Sequence, residues 1–255
     1  MQAFSRSSRG VVLTDEGRLL YDHVSEAFEA LNEGEEKLKR SIELGVGQLK
    51  IGVSSTLCKY MLLPYLKEFI HRNPHISISI ECQSTNETLK LLDDDKIDIG
   101  LIGKPASLKT FNFYYLDNIE DIFVTTKDYL RNLSARGVKK SEILQNSTLM
   151  LLDKGNMTRK YIDDYLQENQ IHVKDSIDIS NMDLLIDFAK IGVGVACVIK
   201  SIVSKELADG TLIEIPLGIP IHKREVGFAY KESSKLSTSL QTFIKFYESY
   251  TPEDF

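Results

Sequence analysis

The chain has 255 residues, 42% hydrophobic and 27% charged, which suits one or two globular domains with a sizeable core. Its net charge of −6 argues against nucleic acid as the main partner, since domains that bind it usually carry a basic excess. Cys58, Cys82 and Cys197 are far apart in sequence and form no CxxC pair, so a disulfide framework is excluded and reduced thiols are expected. No stretch reaches the roughly 18 apolar residues that span a bilayer, and the first residues hold no signal-peptide run. The expected compartment is the cytoplasm, with no membrane partner.

Ser5 to Gly10 reads as a small basic turn, with Arg6 and Arg9 among serines. Val11 to Leu13 is a brief apolar run. Thr14 suits an N-cap, because its hydroxyl can accept from the free N–H groups of the next turn. Asp15 and Glu16 follow, where the helix dipole favours negative charge. The spacing therefore predicts strand, basic turn, strand and capped helix. From Thr14 to about Leu44 there is no proline. Leu20, Val24, Ala27, Leu31, Gly34, Leu38 and Ser41 step by fours and threes, the seam of a coiled coil, with Phe28 and Ile42 beside it. At 1.5 Å per residue this helix spans about 45 Å. Gly45-Val46-Gly47 is the expected stop.

Beyond the glycines, strand and helix patterns alternate. Strands are expected at Leu49–Val53, Ile76–Glu81 and Ile97–Ile102, with helices at Leu57–Arg72 and Asn86–Leu92 between them. Phe111–Thr126 reads as one extended run crossing into a second unit. Leu149–Leu152, Thr158–Asn169, Ser176–Ile179, Met182–Lys190 and Gly194–Val198 repeat the alternation. Late strands at Leu212–Ile215 and Glu225–Tyr230 precede a closing helix at Ser237–Tyr250. The last strand and helix are expected to return to the first unit. Such alternation predicts βαβ units around a parallel sheet. The helix at Leu57–Ile70 carries Tyr60, Met61, Leu62, Leu63, Tyr65, Leu66, Phe69 and Ile70 almost all round, so it wants a second cover besides its own sheet.

The string F-S-R-S-S-R-G-V-x-L-T-x-x-G-R-x-L, from Phe4 to Leu20, resembles the end of the DNA-binding domain of LysR-type transcriptional regulators. GQLKIGVSST, LLPYLKEFIHRNPHISISIE, LLDDDKIDIGLIGKP and LLIDFAKIGVGVACV resemble that family's effector-binding domain, so the likeness covers essentially the whole chain. It implies an α/β, two-lobed, periplasmic-binding-protein-like (type 2) effector domain preceded by a long linker helix. Residues 1–13 would be the wing, 14–47 the dimerising linker helix and 48–255 the effector domain. Lobe I would take 48–124 and 226–255, and lobe II 125–225. In this family a helix-turn-helix normally precedes the wing. With Met1 almost directly before Phe4, the expectation is that the recognition helix is missing here. The implied partners are DNA in the full-length architecture, a small-molecule effector, and further copies in a homodimer or homotetramer. Arg6 and Arg9 would contact DNA phosphates. Lys200 departs from the family, which often has proline there.

In open α/β sheets, ligands bind beyond the C-terminal strand ends, at helix N-termini. Ser54, Ser55 and Thr56 stand at such a place, as do Ser84 with Thr85 and Gly103 with Lys104. Asn156, Met157 and Thr158 match the family's ligand loop in lobe II, and Asn181 with Met182 would face the cleft from the other side. Ordinary capping is the plainer explanation for each. Three hydroxyls in a row at Ser54–Thr56 exceed what capping requires. The donors at these helix starts favour a small anionic or strongly polar effector.

Catalytic signals fail. Asp93-Asp94-Asp95 reads as a solvated helix end. His23, His71, His75, His172 and His222 lack metal-ligand spacing. Gly192-Val193-Gly194 has Cys197 where a dinucleotide fingerprint wants glycine. There is no GxSxG and no Walker lysine. No enzyme site, metal or cofactor is expected. A transport receptor of the same fold is the alternative reading, weakened by the wing and the linker helix.

Overall fold

The computed structural model describes residues 2–7, 10–43, 47–105, 107, 110–232 and 236–252, with backbone alone for Ser7 and residues 37–43. It falls into two units, Met1–Gln48 with Pro74–Ser77, and Leu49–Asn73 with Ile78–Phe255.

In the first unit, Phe4–Ser7 (β1) and Gly10–Leu13 (β2) form an antiparallel hairpin, with Phe4 opposite Leu13. Asp15–Glu43 (α1) follows as one helix of 29 residues. Thr14 caps it: its Oγ1 accepts from the Gly17 N–H at 3.0 Å and donates to the Gln2 carbonyl at 2.7 Å. The Thr14 N–H donates to the Ala3 carbonyl at 3.1 Å. A Cβ on Gly17 would stand 1.9 Å from that same carbonyl oxygen, so the T-x-x-G of the motif is one physical unit. Threonine makes the cap, and glycine admits the chain that precedes the hairpin. Leu20, Val24, Phe28 and Leu31 are exposed along α1. Leu38 and Ser41 of the expected seam lie outside the described side chains. Arg9 and most of the Gly45-Val46-Gly47 stop lie outside the described residues.

Past α1 the chain runs Gly47–Val53 (β3), which enters the second unit at Leu49, then Ser55–Leu57 (α2), a wider turn at Cys58–Leu62 and Leu63–Arg72 (α3). The expected helix at 57–72 is thus present, with one wider turn inside a continuous helical run from Ser55 to Arg72. Pro64 has no N–H to offer the preceding turn, and the Leu63 N–H bonds instead to the Cys58 carbonyl, five residues back. Ile76–Cys82 (β4), Thr85–Asp93 (α4), Ile99–Gly103 (β5) and Phe111–Ile119 (β6) complete the first stretch. Asp121–Thr125 (β7), Lys127–Ala135 (α5), Ile143–Asn146 (α6), Thr148–Leu152 (β8) and Met157–Glu168 (α7) come next. They are followed by Asp175–Ile179 (β9), Met182–Lys190 (α8), Val195–Ile199 (β10), Ser204–Asp209 (α9) and Ile213–Glu214 (β11). Arg224–Lys231 (β12) and Thr238–Ser249 (α10) close the chain.

Two five-stranded sheets result, in the orders β4-β3-β5-β12-β6 and β11-β7-β10-β8-β9. Strands joined through helices, such as β3 with β5 and β8 with β9, pair in parallel. The sheets are mixed rather than wholly parallel, because β12 runs antiparallel to β5 and β6, and β7 antiparallel to β10. The expected division at residues 124 and 125 moves to Glu120. β7 pairs with β10 and β11, so it belongs to the second lobe. The chain crosses between lobes at Glu120 and again just before Arg224, and the two crossings lie side by side, with Arg224 opposite Ile119.

β12 and α10 return to the first lobe as expected. Phe69 of α3, Phe228 of β12 and Phe243 and Tyr247 of α10 interlock, with Phe69–Phe243 centroids 4.9 Å apart edge to face and Phe228–Tyr247 centroids 4.7 Å apart, stacked. Thr88 of α4 is fully buried against Gly52 and Gly100, where an added Cβ would meet its Cγ2 at 2.8 and 2.6 Å. That close seat fixes the start of α4 at the end of the sheet.

Candidate functional site

A cleft of about 850 Å³ lies between the strand ends of the two sheets. Ser54, Ser55 and Thr56 reach it after β3, Ser84 and Thr85 after β4, and Gly103 at the end of β5 with Lys104 just past it. From the other lobe come Asp153, Gly155, Asn156, Met157 and Thr158 after β8, with Ser180 after β9. Asn181 and Met182 do not line it. Asn181 accepts from the Leu184 N–H at 2.9 Å as the cap of α8, and Met182 is buried in the second lobe.

Several of these residues also cap helices. Ser54 accepts from the Leu57 N–H at 3.3 Å, and Asn156 from the Thr158 N–H at 2.8 Å. Ser84 accepts from the Glu87 N–H, and the Glu87 carboxylate accepts from the Ser84 N–H, a reciprocal box. The Ser55 and Thr56 hydroxyls make no hydrogen bond among the described residues. The lobe II loop is anchored from beneath by the buried Arg159. Its Nη1 donates to the Leu152 carbonyl at 2.9 Å and to Asp178, and its Nε donates to Asp163 at 2.8 Å.

The sequence reading missed the crossings. Asp121 is fully buried and takes a forked pair of hydrogen bonds from Arg224, Nε to Oδ2 at 2.8 Å and Nη2 to Oδ1 at 2.9 Å. Burial pushes the Asp121 carboxyl up, against the pull of the guanidinium. The Arg224 Nη2 also donates to the Thr158 Oγ1 at 3.3 Å, and the guanidinium carbon sits 5.2 Å from the Tyr161 ring centre. Arg224, Lys223, Glu225 and Tyr161 all line the cleft. A signal was present: Asp121 heads the apolar run DIFVT, all of it buried, and an acid there demands a partner.

Around this pair the charges are matched. Glu120 accepts from Lys223 at 2.9 Å and Lys200 at 3.2 Å, which together hold its carboxyl below the usual range. The Lys200 N–H also donates to the Glu120 carbonyl at 2.9 Å, a bond proline could not make. Lys104 pairs with Glu225. Across the lobes, Asp183 of α8 accepts from Lys59 and Tyr60, and both bonds hold its carboxyl below its ordinary value. Among the described residues, no group of three or more His, Cys, Asp or Glu could hold a metal ion, and no helix is long and apolar enough to cross a membrane.

Residues 43–251 match the family described as LysR substrate binding domain. The chain belongs to the LysR family of transcriptional regulators. It carries that family's effector-binding domain, preceded by a long helix. The HTH-type transcriptional regulator YeiE of Escherichia coli K12, itself uncharacterized, is 24% identical over 247 residues, covering 96% of this chain and 82% of YeiE. A full-length OxyR variant from Pseudomonas aeruginosa superposes with a TM-score of 0.72 at 19% identity, covering 96% of this chain and 83% of that one. The regulatory domain of Synechocystis CcmR, in complex with 2-PG, superposes at 0.67 and 18% identity, covering 78% and 95%.

Proposed function

We propose that this LysR-family chain senses a small anionic or strongly polar metabolite in the interlobe cleft, and that occupancy adjusts the spacing of DNA-binding domains in the full-length assembly. It acts in the cytoplasm as a regulator and not as an enzyme. The observation that carries the reading is the cleft itself. Its volume of about 850 Å³ suits a small metabolite, and hydroxyl residues of both lobes and the starts of α4 and α7 face it. Ser54, Ser55, Thr56, Ser84, Thr85 and Gly103 serve on lobe I, with Asn156, Met157 and Thr158 on lobe II. CcmR, with 2-PG bound, supports a small-metabolite ligand. Closure is a hinge motion about the two crossings.

Assembly is a homodimer or homotetramer. Exposed Leu20, Val24 and Leu31 form one seam on α1. Leu63 and Ile70 on α3, and Leu184 and Phe188 on α8 with Ile191 just past its end, offer two further apolar faces. In the complete architecture, Arg6 and Arg9 contact DNA phosphates, which position a protein without reading sequence.

Calorimetry on Thr56→Val tests the site once thermal-shift screening supplies a ligand. Loss of a direct hydroxyl contact costs about 1–3 kcal/mol of binding. Unchanged affinity removes Thr56 from the site.

A further inference from the structure

We infer that Arg224 anchors the anionic group of the effector. The inference rests on the cleft reading above and names the residue and ligand chemistry that reading lacks. Arg224 lines the cleft, and its side chain is only 16% exposed. A guanidinium carries five N–H donors and no acceptor. Its Nε and Nη2 serve Asp121 and Thr158, while its Nη1 makes no hydrogen bond among the described residues. A nearly buried cation with an idle amino group, in the wall of a cavity, is matched by an oxyanion.

Its neighbours make the anchor rigid. Asp121 fixes the plane of the guanidinium from behind, and the Tyr161 ring lies against it. The Tyr161 hydroxyl is in turn held by the His222 carbonyl, so the ring is not free to swing away. The other cations of the wall are less available. Lys104 is held by Glu225, and Lys223 by Glu120. The chemistry selected is a carboxylate, phosphate or sulfate group with one oxygen accepting from the Nη1 N–H. Thr158, already within reach of Nη2, stands beside that position and can donate its hydroxyl to the same anion.

The test uses Cys82, an exposed thiol in the cleft wall, as the reporter. The rate of iodoacetamide labelling at Cys82 is followed by peptide mass spectrometry, with inorganic phosphate, citrate or glucose titrated in. Wild type, Arg224→Lys and the double variant Asp121→Asn/Arg224→Gln are compared. The double variant removes both charges of the buried pair, so no unpaired carboxylate is left to unfold the protein. Arg224→Lys retains the charge and serves if the double variant fails to fold. Phosphate or citrate should slow labelling of wild type, with a midpoint at least about tenfold higher in the double variant and an intermediate one in Arg224→Lys. Equal midpoints in wild type and Arg224→Lys, or in all three proteins, overturn the inference and leave the cleft reading intact. Protection by glucose and by neither anion does the same. No protection by any of the three probes overturns the inference together with its basis.

Discussion

Lys59 and Asp183 are 124 positions apart in the chain, yet the Lys59 Nζ lies 2.7 Å from the Asp183 Oδ1, and the Tyr60 hydroxyl donates to the same oxygen. The contact joins the turn after α2 in lobe I to the first turn of α8 in lobe II. It is a clasp between lobes, made by side chains and not by the chain crossings.

The clasp has a pH signature. The Asp183 carboxyl is held below its ordinary value, first by its hydrogen bond from Lys59 and then by that from Tyr60. A depressed carboxylate stabilises the fold above its unfolded value, about 3.9, and that contribution is lost as pH falls through the depressed value. Differential scanning calorimetry should show a steeper fall of Tm below about pH 4 in wild type than in Asp183→Asn. Parallel profiles would show that the clasp contributes nothing to folding.

The Asp121–Arg224 pair is buried, so removing one partner is costly. Arg224→Leu leaves a carboxylate in the interior, and urea unfolding should report a loss of about 3–5 kcal/mol. A loss below about 1 kcal/mol would mean that water reaches Asp121 once the arginine is gone.

At Lys200 the backbone already suits proline: Ile199 is extended, and Lys200 opens a short helical turn. Lys200→Pro therefore adds no backbone clash, and removes the N–H bond to Glu120 together with the ion pairs. Lys200→Met removes the ion pairs alone. The difference in unfolding free energy between the two variants should be about 1 kcal/mol, the worth of one hydrogen bond. Equal stabilities would mean that proline's restriction of the unfolded chain, about 0.4–1 kcal/mol, offsets the lost bond.

Gly17→Ala sets two effects against each other. Helix propensity alone favours alanine by about 1 kcal/mol. The added Cβ would stand 1.9 Å from the Ala3 carbonyl oxygen, a backbone atom, and the clash wins. Hydrogen exchange at the Thr14 amide, which bonds that carbonyl, should accelerate in the variant. Slower exchange would show that the chain before the hairpin relocates without cost.

Much of this was legible in the sequence, for physical reasons. LKIGV, IGLIG and VACVI are short apolar runs between turn residues, and each is a buried strand. Thr14, Ser54, Ser84, Asn156 and Asn181 stand where capping chemistry puts them. The mixed strand directions were not legible, since periodicity carries no direction. β6 and β7 looked like one strand because both are extended, and only pairing separates them at Glu120. α5 escaped notice because its apolar stripe is short, Tyr129, Leu130 and Leu133 alone, in a helix of 9 residues. Arg224 was missed because its partner lies 103 positions away.

The account rests on one claim, that the cleft takes a small polar or anionic molecule. A crystal structure of this chain with the strongest ligand from a thermal-shift screen tests it most directly. The account predicts ligand density between Thr56 of lobe I and Thr158 of lobe II, with an oxyanion at Arg224. A ligand bound outside the interlobe cleft would contradict it.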